Sequence, residues 1–153
     1  MSYDSRPDTY EHIQKVQEYL DDAITDLLGR RARHDQSKLV PPELDMFNEF
    51  TPRLADAEYG TEEYKAVLRE MQATGGLDHH YDTNDHHPEY FEKGIEGMDL
   101  LQVLEMLCDW KAAGERPGGI PIRESIQRNL ERFDFGLEMM HLLLNTVERL
   151  QWK

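Results

Sequence analysis

Apolar residues recur every three or four positions along almost the whole chain, and nowhere do they alternate long enough to make a strand. That period stacks side chains along one stripe of an α-helix, because about 3.6 residues complete a turn. Tyr10 to Gly29 carries Ile13, Val16, Leu20, Ile24 and Leu27 at this spacing, with Asp8 or Thr9 to cap it and Gly29 to stop it. A shorter helix is expected over Arg31 to Leu39, ending before Pro41-Pro42, which cannot continue it. Pro42 then opens a segment through Leu44, Met46, Phe47 and Phe50 that Pro52 interrupts. Thr61 heads a helix running to Gly75-Gly76, and Asp99 caps another that Gly114 closes. Arg116-Pro117-Gly118-Gly119-Ile120-Pro121 is expected as a surface loop, and Ile122 to Trp152 as one or two helices with a bend near Asp134 to Gly136. The expected fold is all-α: one compact helical bundle over 1–153, with 1–8 as a flexible N-terminus.

Bulk properties narrow the function classes. A chain of 153 residues is one domain by size, and 39% hydrophobic with 31% charged residues is ordinary for a globular protein. No stretch reaches the ~20 apolar residues that span a bilayer. The first residues lack the apolar core of a secretory signal, and Cys108 stands alone, so a reducing, cytoplasmic setting is expected. The formal charge of −14 disfavours binding along a nucleic-acid backbone, and the candidate helices lack the basic face of a helix-turn-helix. A small phosphorylated ligand is compatible with such a surface, since a bound cation can reverse the local field.

The chemistry is concentrated in histidine and carboxylate. Four of seven histidines fall within nine residues, in Asp78-His79-His80-Tyr81-Asp82-Thr83-Asn84-Asp85-His86-His87. Imidazole doublets among acidic groups suit a divalent transition metal far better than an apolar core. Upstream stand His12 and the pair His34-Asp35, with Lys38 one turn further on, available to an anionic substrate. Downstream, the helix from Asp99 is apolar nearly all round, through Leu100, Leu101, Val103, Leu104, Met106, Leu107, Cys108 and Trp110, which marks it as central and buried. Glu105 and Asp109 lie four apart on it, about 6 Å from each other on one face. Buried without a cation they would be costly, so a metal or a basic partner is expected. His12, on the edge of a core-facing stripe, reads on its own as a structural residue, and so does His141 beside Met139, Met140 and Leu142.

The order His12, His34-Asp35, two further histidines and an isolated Asp109 resembles the HD-domain superfamily of metal-dependent phosphohydrolases. His34-Asp35-Gln36-Ser37-Lys38, the 80–89 run and Glu105-Met106-Leu107-Cys108-Asp109-Trp110 are also similar to a small uncharacterised HD-like family of phages and bacteria, over about residues 10–115. The resemblance implies an HD-like bundle with metal ligation by His12, His34, Asp35 and Asp109, Asp35 bridging if two ions bind. For a second ion His80 and His87 are the choices, with His79 and His86 as the competing members of each doublet.

The function this implies is hydrolysis of a nucleotide or other small phosphate ester, because a divalent ion acidifies its bound water and polarises a phosphoryl oxygen. One or two ions of Mn, Fe, Co, Ni or Zn fit the ligand set. Lys38 would neutralise phosphate charge, Asn84 would donate to substrate, and Glu105 would orient a ligand histidine or move a proton. Two other classes fit the same residues: an HD-like di-iron oxygenase, and a non-enzymatic acidic helical protein, phage-encoded, that sequesters a partner. The apolar C-terminal residues Leu150-Gln151-Trp152 would suit a homodimer contact as well as a packed terminal helix.

Overall fold

In the computed structural model of the chain, residues 3–57, 61–116 and 118–153 are described, and Pro117 of the expected surface loop lies outside them. Seven α-helices occur among the described residues, and no strand does: α1 (Arg6–Arg33), α2 (Glu43–Asp56), α3 (Glu62–Ala73), α4 (Gly76–Thr83), α5 (Leu100–Gly114), α6 (Ile122–Phe133) and α7 (Leu137–Arg149). Short 3₁₀ turns at Gln36–Leu39, Pro88–Tyr90 and Gly94–Gly97 join them. The all-α expectation holds. None of these helices is long and apolar enough to cross a membrane.

Two compact units divide the chain, 1–34 and 35–153. The first is α1. Pro7 sits in its first turn, where a missing N–H costs nothing, so the helix starts at Arg6, inside the segment expected to be flexible. It also runs past Gly29. One interior glycine costs about 1 kcal/mol, which Leu27, Leu28, Arg30 and Arg31 around it offset as good helix formers. The helix closes instead at His34, whose backbone N–H bonds the Arg30 carbonyl at 2.8 Å, and three arginines in the last turn favour the negative end of its dipole. The stripe Ile13, Val16, Leu20 and Ile24, expected in a core, is exposed, and α1 has no buried residue. A unit made of one helix contains no second surface against which to bury a stripe.

The separate helix expected over 31–39 does not form: Arg31 to Arg33 are the last turn of α1, and in the second unit Gln36–Leu39, with Pro41-Pro42 just beyond it, makes only a 3₁₀ turn. Pro42 precedes α2, and Pro52 is carried inside that helix, not at a break. Thr61 caps α3 by accepting the Tyr64 N–H at 3.2 Å. Asp99 and Gln102 form a reciprocal capping box at the start of α5. Asp134, in the left-handed region, separates α6 from α7.

Two apolar clusters hold this unit. Met46, Phe50, Val67 and Met71 pack between α2 and α3, with Phe47, Leu54 and Leu77 against them. Val103, Met106, Leu107, Ile122, Ile126, Leu143 and Val147 form the larger cluster of α5, α6 and α7, with Ile95 and Phe135, and Trp152 packs on it. Burial of α5 is one-sided: Leu100 and Cys108 are exposed, contrary to the all-round burial expected. His141 is exposed on α7, whose buried stripe is Leu143 and Val147, so it has no structural role in the core.

Candidate metal centre

The second unit opens on Asp35, which has φ 56° and ψ 16°. Aspartate tolerates this left-handed conformation better than most residues. The reversal starts the 3₁₀ turn and swings Lys38 back, with Nζ 2.6 Å from Asp35 Oδ2 and 5.1 Å from the Phe47 ring centroid. The other carboxylate oxygen, Oδ1, faces two imidazoles: His80 Nε2 at 3.7 Å and His86 Nε2 at 3.6 Å.

Those imidazoles come from two local structures. Residues adjacent on a helix point ~100° apart, so on α4 one histidine of the first doublet turns in and the other out. His80 is 2% exposed, whereas the His79 side chain is 41% exposed. Both rings use Nδ1 to reach a single carboxylate: His79 to Glu43 Oε1 and His80 to Glu43 Oε2, each at 2.8 Å. Ser37 Oγ donates to the same Oε2 at 2.9 Å. α4 then stops at Asn84, whose side-chain nitrogen lies 2.8 Å from the His80 carbonyl and 2.9 Å from Ser37 Oγ. The irregular chain beyond it brings both members of the second doublet inward. His86 is 2% exposed, the two rings lie 4.2 Å apart by centroid, and His87 Nε2 is 2.8 Å from His80 Nε2.

Asp35, His80, His86 and His87 each offer a ligand atom, all within 4.8 Å of one another. Four ligands at tetrahedral bonds of about 2.0–2.2 Å stand roughly 3.3–3.6 Å apart. The contacts of Asp35 Oδ1 with His80 and His86 are on that scale and too long for hydrogen bonds, while the His80–His87 pair would open by about half an ångström on the same geometry.

Ligation needs neutral imidazole, and the surroundings supply it. Burial lowers the His80 pKa, with Lys38 adding to the effect and the Glu43 and Asp35 carboxylates opposing it. Burial, then the neighbouring His86 and His80, lowers that of His87 to about 3. For Glu43 burial pushes the carboxyl up, but hydrogen bonds from His79, Ser37 and His80 outweigh it and leave the pKa below the usual glutamate value. On α5, Glu105 Oε1 lies 3.5 Å from His86 Nδ1. Asp109, one turn on, brings a carboxylate oxygen within 4.8 Å of Asp35.

Several of the residues singled out from the sequence come together within the second unit. Asp35, His80, His87 and Asp109 lie together in the second unit, with Glu105 against His86. His86, ranked behind His87, belongs to the cluster alongside it, and His79 does not. Lys38 pairs with Asp35, and the Asn84 amide nitrogen lies near Ser37 Oγ and the His80 carbonyl. His12 is exposed on α1 and His34 ends that helix, both in the first unit. Glu43 and Ser37 were missed. Glu43 did leave a trace: it falls on the stripe with Met46 and Phe50, a charge in register with apolar residues, and it is fully buried.

Over residues 1–151 the chain matches the family of unknown function DUF5662, and it belongs to that family. No curated protein and no solved structure matches it.

Proposed function

We propose that this protein is a metal-dependent hydrolase of a small phosphate ester or anhydride, such as a nucleotide, with Asp35, His80, His86 and His87 holding a divalent transition-metal ion. The observation that carries the proposal is the meeting of those four donor groups within 4.8 Å, in surroundings that keep two of the imidazoles neutral. A mixed imidazole and carboxylate set suits Mn, Fe, Co, Ni or Zn. Such an ion, when bound, supplies Lewis acidity and an acidified water molecule at neutral pH.

The chain's own residues do the rest. Glu43 and Glu105 orient His80 and His86 from behind. Lys38 holds Oδ2 of Asp35, leaving Oδ1 towards the histidines, and its charge adds a favourable potential for an anionic substrate arriving at Asp35. Asp109 and Glu105 lie on one helical face near the cluster and are the groups within reach to accept a proton.

A second reading has a specific observation in its favour. With Glu105 beside His86 and Asp109 near Asp35, the flank of the site is rich in carboxylates, which favours two ions and the di-iron oxygenase alternative. Elemental analysis of protein purified without chelators, followed by a phosphate-release screen over nucleotides and phosphomonoesters, tests the proposal. About one equivalent of transition metal with phosphate release supports hydrolysis. Two irons with an oxygen-dependent optical change on reduction favour the second reading. No metal, and none taken up on reconstitution, refutes both.

A further inference from the structure

We infer that Glu43 is a positioning residue that fixes His80 as the Nδ1–H tautomer and so turns the lone pair of its Nε2 towards Asp35, His86 and His87. The inference rests on the reading of those residues as a metal site, and extends it to a carboxylate 37 residues from His80 in sequence, at the start of α2.

An ionised carboxylate accepts hydrogen bonds and donates none. Glu43 is fully buried and faces three groups, His79 Nδ1, His80 Nδ1 and Ser37 Oγ, all within 2.9 Å. Each must therefore donate. Ser37 can, because its own oxygen accepts from the Asn84 amide at 2.9 Å and its hydroxyl hydrogen remains for Glu43. His80 can only do so by carrying its proton on Nδ1. A neutral ring has one N–H, so Nε2 is then bare. The 2.8 Å contact between His80 Nε2 and His87 Nε2 completes the sequence: His87 donates and His80 accepts. The opposite tautomer would let Nδ1 accept from the Asn84 amide nitrogen at 3.0 Å, but would set it bare against a fully buried carboxylate oxygen at 2.8 Å, two acceptors in contact.

Carboxylate partners of this kind raise the basicity of a ligand histidine and hold its ring, and their removal costs about 10–100-fold in metal affinity. The doublet also acquires a division of labour. His80 faces the site, while His79 occupies the other oxygen of Glu43, so the carboxylate is gripped from both sides and has little freedom to rotate.

The test compares wild type, Glu43→Gln and Glu43→Leu, titrating cobalt(II) into metal-free protein and following its visible absorption, with far-ultraviolet circular dichroism as a check on folding. Glu43→Leu removes the acceptor, and a loss of about 10–100-fold in cobalt affinity is expected. Glu43→Gln should recover most of it, because the amide oxygen can still accept from His80 while the NH₂ group turns to His79, which adopts its other tautomer at the surface. Equal cobalt affinity in all three proteins overturns the inference. Long-range ¹H–¹⁵N correlation of the imidazoles in metal-free wild type decides the tautomer even if the leucine variant fails to fold. A His80 protonated on Nδ1 is expected, and one protonated on Nε2 overturns the inference. If wild type takes no cobalt but His80 carries its proton on Nδ1, the metal reading fails and the tautomer assignment stands, so the two failures are distinguishable.

Discussion

Acidification should destabilise the metal-free protein well above the pH at which ordinary carboxylates titrate, and His87 gives the magnitude. Its pKa is held to about 3 in the folded chain, by burial first and by His86 and His80 next, against about 6.5 for an unperturbed imidazole. A base whose folded pKa lies below its unfolded pKa is protonated more readily once unfolded. Its contribution to stability is then intact above about pH 6.5 and shrinks as pH falls towards 3. At pH 5 the difference spans about 1.5 pH units, and at about 1.4 kcal/mol per unit it removes about 2 kcal/mol. His80, also lowered, pushes the same way as pH falls below the ordinary imidazole range. Glu43, lowered from the glutamate value, contributes stability that is present above about pH 4.5 and lost below it. Against a total of about 5–15 kcal/mol for a domain, the His87 effect alone is measurable. Urea unfolding at pH 7.5, 6 and 5 in the presence of chelator, for wild type and His87→Gln, isolates it: the gap between wild type and variant should change by about 2 kcal/mol between pH 7.5 and 5. Parallel pH profiles for the two proteins would show that burial does not hold this imidazole neutral, and the account of the site as preset for a cation would fall with it.

Other perturbations separate binding from folding. Asp35→Asn keeps the volume and the tolerance of the left-handed conformation, so stability without metal should shift by no more than about 1 kcal/mol, the scale of a partly exposed ion pair. Metal uptake, by elemental analysis, should be lost in the same variant. Asp99→Ala removes both side-chain cap bonds of α5, to the Leu101 and Gln102 N–H groups, and should cost about 1 kcal/mol in urea unfolding with stoichiometric metal retained. Leu107→Ala empties a fully buried position in the larger cluster and should cost about 2–5 kcal/mol. Metal at a hundredfold excess over its Kd should add about 2.7 kcal/mol, read as a rise in unfolding midpoint that chelator reverses.

How much of this was legible in the sequence depends on the range of the determining interaction. The Thr61 and Asp99 caps, the Asp134 bend and the absence of strands among the described residues are set by neighbours within a turn or two, and they were readable. The run through Gly29 and the survival of α2 past Pro52 were not, because each sets a local cost of about 1–3 kcal/mol against the cooperative gain of a continuing helix. Within the site, the first doublet could have been read further had its helix been assigned, since neighbours ~100° apart on a helix meet a single site from different angles. The second doublet lies in irregular chain, where no period predicts direction, and there His86 is buried and His87 half-buried. Lys38 was visible as a cation near a candidate ligand. Its engagement with Asp35 follows from the positive φ of Asp35, a backbone choice that the residue type permits without dictating.

Glu43 exposes the deeper reason that composition pointed to the site without completing it. A metal ligand is advertised by its chemistry, but the group that makes it a good ligand can be any acceptor brought up by the fold, 36 and 37 residues away in the case of His79 and His80. The placement of the cluster shows what the fold gains by it. The Met46–Phe50–Val67–Met71 cluster and the α5–α7 cluster are separate apolar bodies within the second unit. The polar groups come from elements that belong to each: Glu43 and α4 on the side of the first, Glu105 and Asp109 on the same helix as Val103, Met106 and Leu107 of the second. Apolar packing is non-directional and tolerates sliding, whereas imidazole and carboxylate contacts fix angle as well as distance. Confinement of this imidazole and carboxylate network to the junction adds angular constraints there that apolar packing alone does not supply. The same confinement gathers Asp35, Glu43, Glu105 and Asp109 within reach of three histidines and Lys38. Lys38 offsets part of that negative charge at Asp35, and on the proposed reading a bound metal ion would offset the rest, so the stability of the junction and its metal affinity should rise and fall together.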